Sequence, residues 1–223
     1  MTIAHPPIRV SEAAPHLRGW LHTAAAPLAL AAGVVLIALS PSPASRIGST
    51  VFALAALINF TASATLHRGN WAPRVALILR RIDHASIFVL IAGSYTPFAL
   101  IMLSGQPRVA LLAVAWSGAA LGILSRLFWI DAPRWIYTAT YLALGWAAVF
   151  FVKDFISYPG ANVVPFLILL GGALYTMGAI VYGTRRPNPI PRWFGFHEVF
   201  HLLALTAFAT HYVGVSIATY SLR

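Results

Sequence analysis

Two histidines four residues apart, His197 and His201, stand at the start of a long apolar stretch near the end of the chain. On an α-helix, side chains at i and i+4 share one face, one turn apart. The two imidazoles can therefore close on a single metal ion. Ser63 and His67 repeat the same four-residue spacing upstream, and Asp83 follows them. Ionisable groups inside membrane-length segments are expensive and are read as functional by default. Cysteine is absent, which excludes a disulfide framework, a thiolate zinc site and a cysteine nucleophile. Any transition metal rests on imidazole and oxygen.

The elements that must position these residues are membrane helices. Of 223 residues, 59% are hydrophobic and only 9% charged, against roughly a quarter charged in soluble domains. Apolar blocks of about 18 or more residues argue membrane spans. The expectation is an all-α membrane protein, a bundle of seven transmembrane helices over residues 21–217. A tail over residues 1–20 precedes it and a short tail over 218–223 follows. The spans are expected near Leu21–Leu39, Ile47–Leu66, Ile82–Leu103, Val109–Ile130, Trp135–Val152, Val163–Tyr182 and Phe196–Ile217. The first is too long for the apolar core of a signal peptide and is followed by six more, so it is taken as a membrane helix. Gly118 and Gly122 form a small-xxx-small pair read as helix packing.

The net charge of +10 sits in short loops between apolar blocks rather than on one soluble surface. That is a topology signal and argues against nucleic acid. One set of loops and the N-terminal tail hold Arg9, Arg18, Arg68, Arg74, Arg80, Arg81, Arg126, Arg134, Arg185, Arg186 and Arg192, eleven in all. The opposite side holds four, Arg46, Arg108, Lys153 and Arg223. The positive-inside rule then puts the N-terminus in the cytoplasm and the C-terminus outside. Trp20, Trp71, Trp129, Trp135 and Trp193 fall at the same edge, as an interfacial belt does. With that topology His67 ends span two, Asp83 opens span three and His197 opens span seven, so Ser63, His67, Asp83, His197 and His201 share one leaflet.

Taken singly, each residue has a plainer role. A lone membrane histidine commonly bonds a neighbouring helix, Ser63 packs helices, and Asp83 caps its helix beside Arg80 or Arg81. His84 is expected to face the interface, and His22 to pack. His5 and His16 carry no signal. His211 lies ten residues beyond His201, about 15 Å deeper in an unbroken helix; it cannot share an ion with His201 and is expected to satisfy a polar contact within the bundle.

His197-Glu198-x-x-His201 also spells the zincin signature, two zinc ligands and a glutamate base. No acidic residue follows Glu198 to supply a third ligand, and the metzincin glycine turn is absent. Glu198 stands about 100° from His197 around the helix and is expected to face lipid headgroups or Arg192. An intramembrane metalloprotease is the weaker reading.

Four stretches in this order carry a family resemblance: Ser63-Ala64-Thr65-Leu66-His67, Arg80-Arg81-Ile82-Asp83-His84, Gly93-Ser94-Tyr95-Thr96-Pro97 and Gly195-Phe196-His197-x-x-x-His201. Together they resemble the hemolysin III family, which is similar to the progestin and adipoQ receptors and, more distantly, to alkaline ceramidases. The resemblance extends from Arg18-Gly19-Trp20-Leu21-His22 to span seven. It implies seven helices with the N-terminus inside and a zinc site liganded by His67, His197 and His201. Asp83 would hold water on the metal and Ser63 would support the site from behind, so these two carry the catalytic roles. Many bacterial relatives have an acidic pair before span one; here only Glu12 is near, so no role for that pair carries over.

Three neutral imidazoles leave one position of a tetrahedral zinc open, as catalytic sites do. Zinc brings the pKa of a bound water toward ~7, and Asp83 can accept its proton. The expected function is a zinc-dependent hydrolase of a lipid ester or amide in the bacterial cytoplasmic membrane, with membrane lipids as partners. The alternative is a sensor or regulator of membrane state in which zinc ties helices two and seven without turnover. A cytolysin, suggested only by the family's name, fits poorly, because a polytopic chain without an evident secretory route makes a poor secreted toxin.

Overall fold

The computed structural model describes residues 15–129, 131–159 and 163–222. The expectations for His5, Arg9 and Glu12, for Ile130 as the end of span four, and for Arg223 lie outside the described residues. Seven helical segments among them are long and apolar enough to cross a membrane. Ile190 and Phe194 make an isolated bridge, and the described residues contain no strand.

The helices are α1 (Trp20–Ala38), α2 (Pro43–Arg68), α3 (Pro73–Met102), α4 (Gly105–Phe128), α5 (Arg134–Gly145), α6 (Val152–Ile156), α7 (Val164–Thr184) and α8 (Phe196–Tyr220). A 3-10 turn over Ala147–Phe151 joins α5 to α6, so the fifth span is broken. Backbone breaks at membrane depth persist where protein satisfies the freed groups or a cavity takes them. Here Tyr95 Oη on α3 donates to the carbonyls of Leu144 and Gly145 at the break.

Three helices, α2, α3 and α4, begin four or more residues earlier than the hydropathy pattern suggests. Ser42 caps α2: its Oγ accepts from Ser45 N–H at 3.1 Å, and Ser45 Oγ accepts from Ser42 N–H at 3.1 Å. Pro43 in the first helical position suits this start. Pro73 likewise starts α3, and Arg74 and Arg80 lie exposed along its first turns. Long arginine stems run along apolar surface while their heads stay wet, so charge does not end the helix. Asp83 therefore does not open span three. It lies ten residues inside α3, three turns from the start.

In lipid the hydrophobic effect gives no drive between helices, and close packing holds them. The core is aromatic where small residues allow it. Phe52 of α2 stacks on Phe208 of α8 with centroids 5.0 Å apart, and Phe60 meets Phe208 edge-on at 5.1 Å. Gly48 lets α2 approach the Pro97 backbone of α3, where an added Cβ would sit 2.7 Å from Pro97 Cα. Gly118 and Gly122 do pack helices, against Leu144 and Phe88 respectively. Exposed Leu28, Leu30, Leu121 and Phe150 face outward, as lipid-facing positions do. Trp20, Trp71, Trp129, Trp135 and Trp193 are all exposed.

Candidate metal centre

Four imidazoles, those of His22, His67, His197 and His201, meet where α2 finishes and α8 begins. His67 is the penultimate residue of α2, and His197 and His201 occupy the first two turns of α8. The helical spacing inferred for His197 and His201 therefore holds, and α2 brings His67 against them. One ring nitrogen from each of the three lies within 4.8 Å of the others. His67 Nε2 and His197 Nε2 are 3.2 Å apart. Nitrogens bound to one tetrahedral zinc at about 2.05 Å stand about 3.3 Å from each other, close to that separation.

His22 completes the arrangement. It is buried on α1, and both of its ring nitrogens lie 3.0 Å from His201 Nδ1. His201 Nε2 is buried without a hydrogen-bond partner. One nitrogen of His201 is thus held by a neighbour while the other offers a bare donor atom. That is how a metal-ligating histidine is usually set. The donor set of three imidazoles without thiolate suits zinc, copper, iron or nickel rather than magnesium or calcium. His22 packs against Phe60, as expected of it, and also meets His201 across the bundle. A histidine at the mouth of span one is the signal that points to it.

Asp83 and Ser63 share a cavity with His197 and His201 of this triad. Both are buried, both line the same cavity as His22, His197 and His201, and the Ser63 side chain lies next to the Asp83 carboxyl. Ser63 Oγ makes no hydrogen bond of ordinary geometry. Ser63 comes five residues before the end of α2 and Asp83 ten after the start of α3, so the first turns of α3 overhang α2. This overhang brings an aspartate from deep in its helix to the level of the histidines.

Two expectations need correction. Glu198 does not face headgroups or Arg192. It is buried, it pairs with Arg18 Nε, and its Oε2 accepts from its own Gly195 N–H at 2.9 Å. Glu198 thus caps α8 and latches the segment before α1 onto it, and it does not line the cavity. His84 does not face the interface either. Its Nδ1 lies 2.7 Å from Arg126 Nη2, and its carbonyl accepts from Tyr141 Oη at 3.0 Å. Arg126 belongs to the buried interior of α4, 1% exposed, with its guanidinium 4.3 Å from the Tyr137 ring centroid. It is not an interfacial loop arginine.

A cavity of about 130 Å³ runs from His197 and His201 past Leu90, Ile91 and Ile168 to His211. Its lining comes from α3, α5, α7 and α8 in the main and is mostly apolar. His211 stands outside the histidine triad and donates through Nε2 to the Ile168 carbonyl at 3.2 Å, the polar contact expected of it. Two of the three grouped imidazoles, with the Asp83 carboxyl, thus line a mostly apolar cavity.

A family profile described as "Haemolysin-III related" matches residues 11–212. The chain is 38% identical over 134 residues to a Hemolysin-3 homolog of Bacillus subtilis (strain 168), covering 60% of this chain and 62% of that protein. It is 34% identical over 134 residues to Hemolysin-3 of Bacillus cereus, covering 60% of each. An Adiponectin receptor protein of Drosophila melanogaster is 29% identical over 161 residues, 62% of this chain and 35% of that protein. The matches thus span about 60% of the length of the bacterial relatives.

Proposed function

The chain belongs to the haemolysin III-related family of multi-pass membrane proteins, and on that premise we propose that it is a zinc-dependent hydrolase of a lipid ester or amide. The observation that carries this reading is the placement of three imidazole nitrogens within 4.8 Å of one another beside a cavity that Asp83 and Ser63 also line. His67, His197 and His201 would hold the ion. When bound, zinc supplies Lewis-acid polarisation of a carbonyl and a nucleophile at neutral pH.

The remaining work falls to the chain. His22 holds His201 through Nδ1 so that Nε2 turns to the metal. The apolar walls grip the acyl chain and leave its carbonyl at the histidine end, so positioning supplies part of the rate. The Asp83 carboxylate takes a proton from the attacking water and returns it to the departing oxygen or nitrogen. Ser63, beside that carboxyl, keeps it oriented. With the N-terminus inside, as the arginine distribution supports, the reaction takes place in the cytoplasmic leaflet.

A second reading is a sensor of membrane state without turnover. It is favoured by the way His22, His67, His197 and His201 join α1, α2 and α8, and by the relative named as a receptor.

The first test is the metal content of the purified protein, wild type beside the double variant His197→Ala/His201→Ala. About one zinc per chain, lost in the variant, is expected of a three-histidine site. It would be followed by cleavage assays on lipid esters and amides. Absence of zinc from both proteins overturns the proposal, and zinc without cleavage of any lipid favours the sensor.

A further inference from the structure

The far end of the cavity carries polar atoms that the reaction does not use. His211 is 5% exposed, lines the cavity, and donates through Nε2 to the Ile168 carbonyl. A carbonyl only accepts, so in an uncharged imidazole the hydrogen is on Nε2 and Nδ1 is a bare acceptor. Nδ1 is buried with no partner. Tyr175 on α7 lines the same space, its Oη is also buried without a partner, and its ring centroid is 5.7 Å from that of His211.

Two further polar groups that line the cavity, Trp146 and Tyr95, are satisfied. Trp146 Nε1 donates to Thr176 Oγ1 at 2.9 Å, and Tyr95 Oη is bonded to the backbone of the broken span. The His211 ring is also seated deliberately: a Cβ on Gly171 would lie 2.2 Å from its Nε2. Two orphaned polar atoms, held this firmly in an apolar tunnel, leave a desolvation penalty that a ligand can relieve.

The geometry points to a second polar subsite, in which His211 Nδ1 and Tyr175 Oη receive a neutral hydroxyl carried on the lipid chain. A hydroxyl donates to Nδ1 and accepts from the tyrosine, meeting both needs with one group. A carboxylate cannot donate to Nδ1, and a bare methyl leaves both atoms unpaired. His211 is ten residues beyond His201 on α8, about 15 Å along the axis. That spans about a dozen carbons of an extended chain, in which each bond of about 1.5 Å advances the zigzag by about 1.25 Å. The favoured ligand therefore has its hydroxyl mid-chain, about that far from the carbonyl. This inference rests on the proposal that the cavity holds an acyl chain.

The test is equilibrium binding of 12-hydroxystearate and of stearate to the protein in nanodiscs. Wild type is compared with Tyr175→Phe, which keeps the ring, and with His211→Phe. Wild type is expected to bind the hydroxylated acid roughly tenfold more tightly. Either variant should abolish most of that preference while keeping its affinity for stearate. Equal binding of the two acids by wild type, or a preference that survives Tyr175→Phe, overturns the subsite alone and leaves water as the partner of these atoms. Binding of neither acid overturns the subsite and the acyl-chain reading of the cavity together.

Discussion

His22 on α1 and His201 on α8 meet at 3.0 Å although 179 residues separate them in sequence. The contact joins the first and last helices of the bundle at the level of the histidine triad. It also leaves His201 Nε2 as the free donor atom. A ring that packs and a ring that fixes another ring's orientation look alike in sequence; they separate only when the neighbour's nitrogens are located.

Replacing His22 by Phe keeps a ring in the space beside Phe60, whose centroid is 5.0 Å from that of His22. Loss of such an outer partner lowers metal affinity about 10–100-fold. Competition with a chelator should show this decrease, with helix content by circular dichroism unchanged. An unaltered affinity would reduce His22 to a packing residue.

On the proposed function, Asp83→Asn separates metal binding from chemistry, because Asp83 is not among the three grouped histidines. Zinc content should stay at the wild-type level. Lipid hydrolysis should fall by at least about 10²-fold, the contribution of a positioned base. A variant that keeps full activity assigns the base elsewhere.

Glu198→Gln distinguishes this chemistry from that of a zincin. The amide can still accept from Gly195 N–H, but the ion pair with Arg18 is lost. A destabilisation of about 1–3 kcal/mol is expected for a buried polar group deprived of its charged partner. It would be read as a lower melting temperature in detergent. Hydrolysis per folded molecule should persist, whereas a metalloprotease would lose its base and its activity.

Gly48→Ala would place a methyl 2.7 Å from Pro97 Cα, which cannot rotate away. Overpacking of this kind costs about 1–3 kcal/mol. Gly183→Ala on α7 meets nothing within 4 Å and should be neutral or stabilising by up to about 1 kcal/mol. Melting temperatures of the two variants, measured side by side, check the pair.

The seven spans were legible because lipid demands long apolar helices, and His67, His197 and His201 because helical spacing and a common end of the bundle suffice to group them. Asp83 shares a cavity with His197 and His201 but lies three turns inside its helix rather than at its start, since Arg74, Arg80 and Arg81 read as loop when they belong to α3. The roles of Glu198 and His84 were hidden because each depends on a partner far away in sequence, Arg18 and Arg126 respectively. The cavity left no mark in the sequence. Its walls come from α3, α5, α7 and α8 in the main, and no residue type encodes a space.

The pairing of His67 with His197 across 130 intervening residues also orders the events of synthesis. Ribosomes add about 5–20 residues per second, so His67 emerges on the order of ten seconds before its partners. Until α8 is threaded into the bilayer, only His67 of the three grouped histidines is in place. If the proposed ion binds, its retention would therefore report that the last helix has docked against α2.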